Sequence, residues 1–156
     1  MKRIVLDASA LMAFFDGRPG AAKVEDLITS AAEGKCQLLM SIVNWGEVYY
    51  SVWRAKGPGV AHKVAAEIAQ LPIELVDAGY ELTKLAAELH ADLKLPYADC
   101  FAAALAANRK ASLATSDADF AKLDRRLPLL WTRSPRRCIR HFDAEQTSAA
   151  FPVSEG

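Results

Sequence analysis

A chain of 156 residues, 52% of them hydrophobic and 24% charged, is long enough to bury one substantial core and needs no second one. Its 19 lysines and arginines balance 19 aspartates and glutamates, which excludes bulk attraction to nucleic acid or anionic lipid and makes any steering of a charged ligand local. Three cysteines, Cys36, Cys100 and Cys138, form no CxxC pair and exclude a disulfide framework or a cysteine zinc site, while no apolar run approaches the ~20 residues of a membrane span.

Asp7 interrupts the N-terminus too early for a signal-peptide core, so a soluble, cytoplasmic protein without membrane contact is expected. In chain order, "RIVLD" predicts a strand, 8–16 a helix, "GRPG" a loop and 21–33 a helix. "QLLMS" predicts a second strand, 42–56 a helix, "KGPG" a loop and 59–70 a helix. "IELVD" then leads to helices over 78–93 and 97–109, the last opened by Pro96, whose missing N–H is no loss there. "ASLAT", a short helix over 118–124 and "LPLLWT" complete the pattern. Strands alternating with helices predict an α/β sandwich around a parallel sheet of four to five strands. The tail "DAEQTSAAFPVSEG" shows no period, which sets an expected domain over 1–137 apart from a C-terminal extension over 138–156.

In an open parallel sheet, ligands bind outside the carboxyl ends of the strands. Four acids are placed for that edge. Asp7 ends the first strand, and Glu47 lies in the first turns of the helix after "QLLMS". Asp99 lies in the first turn of the helix opened by Pro96, and Asp117 follows "SLAT". Around Glu47, Asn44, Ser51 and Arg54 share its stripe, while Val48, Tyr49, Val52 and Trp53 form an apolar face. Each acid also has a simpler reading: Asp7 as a turn residue, Asp99 and Asp119 as partners of a helix dipole, Ser116 or Asp117 as an N-cap. Four acids on one edge, with no basic neighbour in sequence, repel one another unless their pKa values rise or a cation neutralises them. A divalent ion is the simpler answer. With oxygen donors only, and with His62, His90 and His141 scattered as surface residues, Mg²⁺ or Mn²⁺ is favoured over zinc. No GxxxxGK[ST] or GxGxxG loop is present, and no GxSxG elbow surrounds Ser9, whose expected role is to support Asp7.

"IVLDASALMAFF", "SIVNWGEVYY", "LPYADCFAAALA" and "ATSDADF", in this order and at this spacing over roughly residues 3–132, resemble the PIN-domain family, and within it the VapC-type toxins of prokaryotic toxin-antitoxin pairs. The resemblance implies an α/β/α sandwich, a homodimer, and a Mg²⁺- or Mn²⁺-dependent endoribonuclease held in check by a cognate antitoxin. By position, Asp7, Glu47, Asp99 and Asp117 match the family's acidic quartet, which implies both catalytic and metal-holding roles. Ser9 matches a supporting hydroxyl, Asp119 an accessory acid, and Asn44 a polar residue one turn before the glutamate. The family also implies hydrolysis by a metal-activated water, leaving a 5′-phosphate and a 3′-hydroxyl.

An acidic pocket repels RNA, so basic groups must hold the substrate. From Lys122 to His141 the chain carries Lys122, Arg125, Arg126, Arg133, Arg136, Arg137 and Arg140 against Asp124 alone. Arg133, Arg136 and Arg137 are the candidate substrate-binding residues, with Trp131 or Tyr97 as stacking partners for an unpaired base. The competing reading makes these arginines a solvated surface or a protein contact. The stripe Trp45, Tyr49, Val52 and Trp53 is expected in the core or a dimer interface, and any exposed part offers a groove for an antitoxin helix. Two rivals stand beside the nuclease reading: a non-catalytic RNA- or protein-binding module on the same scaffold, and another Mg²⁺-dependent phosphohydrolase. A phosphatase of that kind needs a second acid two places after its nucleophilic aspartate, where this chain has Ser9.

Overall fold

A computed structural model of the protein describes residues 1–123 and 125–133. Five strands, β1 (Lys2–Leu6), β2 (Cys36–Ser41), β3 (Ile73–Val76), β4 (Ser112–Thr115) and β5 (Leu129–Trp131), form one parallel sheet in the order β3-β2-β1-β4-β5. The helices are α1 (Ala8–Asp16), α2 (Ala21–Ala32), α3 (Ile42–Lys56), α4 (Pro58–Gln70), α5 (Tyr80–Leu93) and α6 (Tyr97–Arg109), with a 3₁₀ turn at Ala118–Leu123. The expected α/β/α sandwich with a parallel central sheet is what is found.

Side chains alternate across the strands with a period of two. Ile4, Leu6, Leu38, Met40 and Ala114 face one way and bury Leu11, Val24, Val48, Val52 and Ile68 from α1 to α4. Val5, Leu39 and Leu113 face the other way, onto Ala86 of α5, Phe101 and Leu105 of α6, and Phe120 and Leu123 of the 3₁₀ turn. Cys100 to Ala106 are all buried, so α6 is apolar all round, and its alanines let it lie close on β1, β2 and β4.

The strand order fixes where a ligand fits. From β1 the chain winds to β2 and β3 on one side, then crosses to β4 and β5 on the other, so the direction reverses between β1 and β4. At such a reversal the loops after the two strands part and leave a crevice at their carboxyl ends.

Some expectations need correction. Pro96 has extended ψ of 141° and stands as the N-cap before α6, one place earlier than read from the sequence. Trp53 on the apolar face of α3 is 44% exposed, which leaves the expected core to Val48 and Val52 and leaves Trp53 with the interface alternative. His62 and His90 are exposed, and Cys36 and Cys100 are buried free thiols. Arg136, Arg137, Arg140, His141, Cys138, Asp124 and the extension over 138–156 lie outside the described residues. Among the described residues no helix is long and apolar enough to cross a membrane.

Candidate active site

Asp7 leaves β1 and becomes the N-cap of α1, so one side chain serves two purposes. Its Oδ1 accepts from the Ala10 amide at 2.8 Å and from Ser9 Oγ at 2.8 Å, and Ser9 Oγ also lies 2.9 Å from Oδ2. Oδ2 accepts in addition from Thr115 Oγ1. Pairing of Leu6 with Ala114 puts these two strand ends side by side. Thr115 Oγ1 in turn accepts the Asp117 amide at 3.0 Å, while Ser9 Oγ accepts from Ser116 Oγ at 3.1 Å and from the Ser116 amide at 3.3 Å. Three hydroxyls therefore tie the ends of β1 and β4 across the crevice. Asp7 is 2% exposed, and burial pushes its pKa up to about 6 against the pull of those hydrogen bonds, with Asp117 adding a smaller push.

Glu47 arrives from the next strand. Ser41 ends β2 and caps α3 by accepting the Val43 amide at 3.3 Å, and one turn further Asn44 and Glu47 face the crevice together. Asn44 Nδ2 donates to Glu47 Oε2 at 3.0 Å and to the Ala98 carbonyl at 3.0 Å, fastening α3 to the first turn of α6. Burial raises the pKa of Glu47, the Asn44 bond lowers it, and Asp117 raises it again. Asn44 is wholly buried, and its Oδ1 has no partner among the described residues.

Asp99 sits in the first turn of α6. Its pKa is pushed up to about 7, first by burial and then by the charges of Glu47, Asp117, Asp7 and Asp119. Among the described residues its carboxylate accepts no hydrogen bond, and no lysine or arginine forms an ion pair with it or with Asp7, Glu47, Asp117 or Asp119. Asp117 Oδ1 accepts the Asp119 amide at 2.9 Å, an Asx turn that opens the 3₁₀ segment, and Asp119 itself is exposed.

These acids thus share one electrostatic neighbourhood at the crevice between β1 and β4. They do not close on a single point, for among the described residues no three His, Cys, Asp or Glu side chains are arranged to hold an ion. The donor chemistry still suits a hard divalent cation: the groups are all carboxylates, they repel one another, and among the described residues no side-chain cation offsets them.

A PIN-domain family model matches residues 4–126. The chain belongs to the PIN-domain family. Solved PIN structures with the same fold include VapBC2 from Rickettsia felis bound to a DNA fragment from their promoter. That match has a TM-score of 0.67 and 18% identity, over 83% of this chain and 98% of that one. VapC20 from Mycobacterium tuberculosis, described as a sarcin-ricin loop cleaving toxin, matches with a TM-score of 0.57 at 18% identity, over 76% and 92%. FitAcB from Neisseria gonorrhoeae matches with a TM-score of 0.59 at 17% identity, over 81% and 96%. A comparison with curated proteins gives no match. In this PIN domain, Thr115 is the residue that sequence reasoning missed. A threonine ending a strand two places before an acid was visible, but its link to Asp7 depends on strand pairing.

Of the candidate RNA contacts, Arg133 reaches the acidic edge, where its Nε donates to the Ser116 carbonyl at 3.4 Å. Arg126 instead stands 3.9 Å from Asp92, away from the quartet. Tyr97 is 45% exposed two residues before Asp99, edge-on to Phe101, whereas Trp131 packs half-buried against the core.

Proposed function

We propose that this PIN protein is a Mg²⁺- or Mn²⁺-dependent endoribonuclease and the toxin of a type II toxin-antitoxin pair. The observation that carries the reading is the set of mutually repelling carboxylates at the carboxyl edge of the sheet, unpaired with any basic side chain among the described residues, with Asp99 pushed up to about 7. Asp7, Asp99 and Asp117 would hold the ion, with Glu47 completing the set. A bound divalent ion supplies Lewis-acid stabilisation of the phosphoryl oxygens and lowers the pKa of a coordinated water.

The chain's own groups do the rest. Ser9 and Thr115 fix the orientation of Asp7, so that its carboxylate is aimed before substrate arrives. Asn44 occupies Glu47 Oε2, which leaves Oε1 to orient the attacking water and take its proton. With no ribose 2′-hydroxyl recruited as nucleophile, the products carry a 5′-phosphate and a 3′-hydroxyl. Asp7 accepts hydrogen bonds at both oxygens, an arrangement that suits a ligand holder better than the phosphatase-type nucleophile of the rival reading.

The domain runs to residue 137 in this reading, and Arg133, Arg136 and Arg137 contact the RNA backbone. The protein acts in the cytoplasm as a homodimer. The half-buried stack of Trp45 on Tyr49, 5.2 Å between centroids, and the exposed Trp53 belong to a surface that takes the antitoxin or the second subunit. The test is cleavage of structured and unstructured RNA in Mg²⁺, Mn²⁺ or EDTA by the wild type, Asp7→Asn and Asp99→Asn. Metal-dependent cutting lost in both variants supports the nuclease. Full cutting by either variant, or none by the wild type, rules it out. Growth arrest on expression, relieved by an adjacent gene product, supports the toxin role, and harmless high expression counts against it.

A further inference from the structure

The N-terminus of α2 begins, like those of α4 and α5, at a glycine that offers no capping side chain, and it lies against Thr132 at the end of β5. Its N-cap, Gly20, has φ of 101° and no side chain to cap with. The Ala21 amide donates to the Arg18 carbonyl at 2.9 Å and the Val24 amide to the Gly20 carbonyl at 3.2 Å, but the amides of Ala22 and Lys23 have no partner among the described residues. Those are the two N–H groups that a capping serine or aspartate would take.

Two independent features point to a ligand there. Thr132 is 5% exposed, and its Oγ1 is buried without a hydrogen-bond partner. A Cβ on residue 20 would lie 3.1 Å from that Oγ1, so the hydroxyl packs directly against the glycine that starts the helix, whose φ of 101° itself favours glycine. Two residues before the cap, Arg18 Nε is likewise buried and unpartnered, although Arg18 Nη2 holds Asp16 at 3.0 Å. Unpaired polar atoms are costly to bury, and two of them beside one uncapped helix start call for an oxygen-rich ligand. Free helix amides with Arg18 and Lys23 nearby suit an anion. The acids of the next turn, Glu25 and Asp26, are exposed to water, where their repulsion is screened.

Position in the fold decides which anion. The Thr132 amide donates to the Thr115 carbonyl at 3.0 Å, and Thr115 is the residue that holds Asp7. Arg133 is tied to Ser116 on the same edge. From this we infer that the start of α2, with Arg18, Ala22, Lys23 and Thr132, is a phosphate subsite that seats the RNA backbone next to the scissile bond. The inference rests on the ribonuclease reading for the identity of the ligand, but it is tested by binding.

The experiment uses the full chain in EDTA, with amide NMR during titration by a short oligouridylate and, separately, by inorganic phosphate. Saturating shifts at Ala22 and Lys23 are expected with the oligouridylate. Thr132→Val and Arg18→Gln should each weaken its binding roughly tenfold. Arg18→Gln should also flatten the salt dependence of log K by about 0.7, while Thr132→Val leaves that slope unchanged. In cleavage assays both variants should raise KM and spare kcat. Silent Ala22 and Lys23 amides, or wild-type binding by both variants at unchanged melting temperature, would overturn the subsite. Shifts with phosphate but not with oligouridylate would overturn its assignment to RNA. Oligouridylate binding at these amides by a protein that cuts no RNA keeps the subsite and fells the nuclease reading, and cleavage with unchanged KM in both variants does the reverse.

Discussion

Asp16 and Glu74 are treated differently from the acids of the crevice. Asp16, at the end of α1, lies 3.0 Å from Arg18 and 3.7 Å from Lys56. Glu74, on edge strand β3, accepts from Gln37 at 2.8 Å and has Arg109 at 4.0 Å. Asp7, Glu47, Asp99 and Asp117 receive hydrogen bonds or nothing, and among the described residues no basic side chain pairs with them. Among the described residues, the chain therefore pairs acids that serve structure with basic side chains and leaves those at the switch between β1 and β4 without one, where burial and mutual repulsion raise the pKa values of Asp7, Glu47 and Asp99. The proposed function accounts for this difference, because a cation and a phosphate would meet in that crevice.

The largest expected effect comes from removing the most strongly repelled member. Asp99→Asn should lower the rate of RNA cleavage by about a thousandfold, because Lewis-acid stabilisation is worth several kcal/mol. It should also raise the melting temperature of the metal-free protein, since the repulsion from Glu47, Asp117 and Asp7 disappears. A paired acid behaves oppositely, and Asp16→Asn should lower the melting temperature. If both variants shift it the same way, the contrast between the two sets is wrong.

The second effect is on pH dependence. Asp7 has its pKa raised from 3.8 to about 6, so the folded state holds this proton more tightly than the unfolded chain. Its contribution to stability is full below pH 3.8 and is lost as pH rises through 6, a fall of about 3 kcal/mol at one pKa unit per 1.36 kcal/mol. Asp99 acts in the same direction up to about pH 7. Urea denaturation of the metal-free protein across this range should show the decline, and Asp7→Asn should flatten it. Saturating Mn²⁺ should recover stability at neutral pH by binding the folded state alone. A decline that Mn²⁺ leaves untouched would mean that the acids do not share an ion.

Thr115 tests the support beneath the site. Thr115→Val removes a buried donor to Asp7 and a part-buried acceptor for the Asp117 amide, and should cost about 2 kcal/mol of stability. Cleavage should fall by about ten- to a hundredfold through misplacement of Asp7. Thr115→Ser keeps the hydroxyl and should restore most of the turnover, which a defect in packing alone would not explain.

Thr115 also marks the limit of what the sequence disclosed. The elements were legible because each rests on neighbours in the chain: α3 carries its own periodicity, α6 is an alanine-rich run opened after Pro96, and the bounds 42–56 and 97–109 match the structure. The acids were legible because a charge after an apolar strand is conspicuous in one dimension. Thr115 was not, since its partner lies 108 residues away across a strand pairing that no local pattern specifies. The same holds for Asn44 and the Ala98 carbonyl, 54 residues apart, and for the approach of Gly20 to Thr132. For Trp53 the sequence left core and interface open for a different reason. Helical spacing gives a face, but the angular width of that face buried by α4 and the sheet is set by packing, and Trp53 falls at its margin with an edge-on contact to His62 at 5.8 Å.

The smallest effect belongs to the far edge of the sheet. Glu74 is exposed, its contact with Arg109 is long, and exposed pairs of this kind contribute at most about 0.5 kcal/mol. Glu74→Gln keeps the shape and a hydrogen-bonding group opposite Gln37, so urea midpoint, metal affinity and RNA turnover should all stay at wild-type values. A clear loss of turnover would be the more informative result, because Glu74 belongs to β3, separated from β1 by β2. Such a loss would mean that the charge balance of the whole sheet, and not the local crevice between β1 and β4, governs how the acids hold their ion.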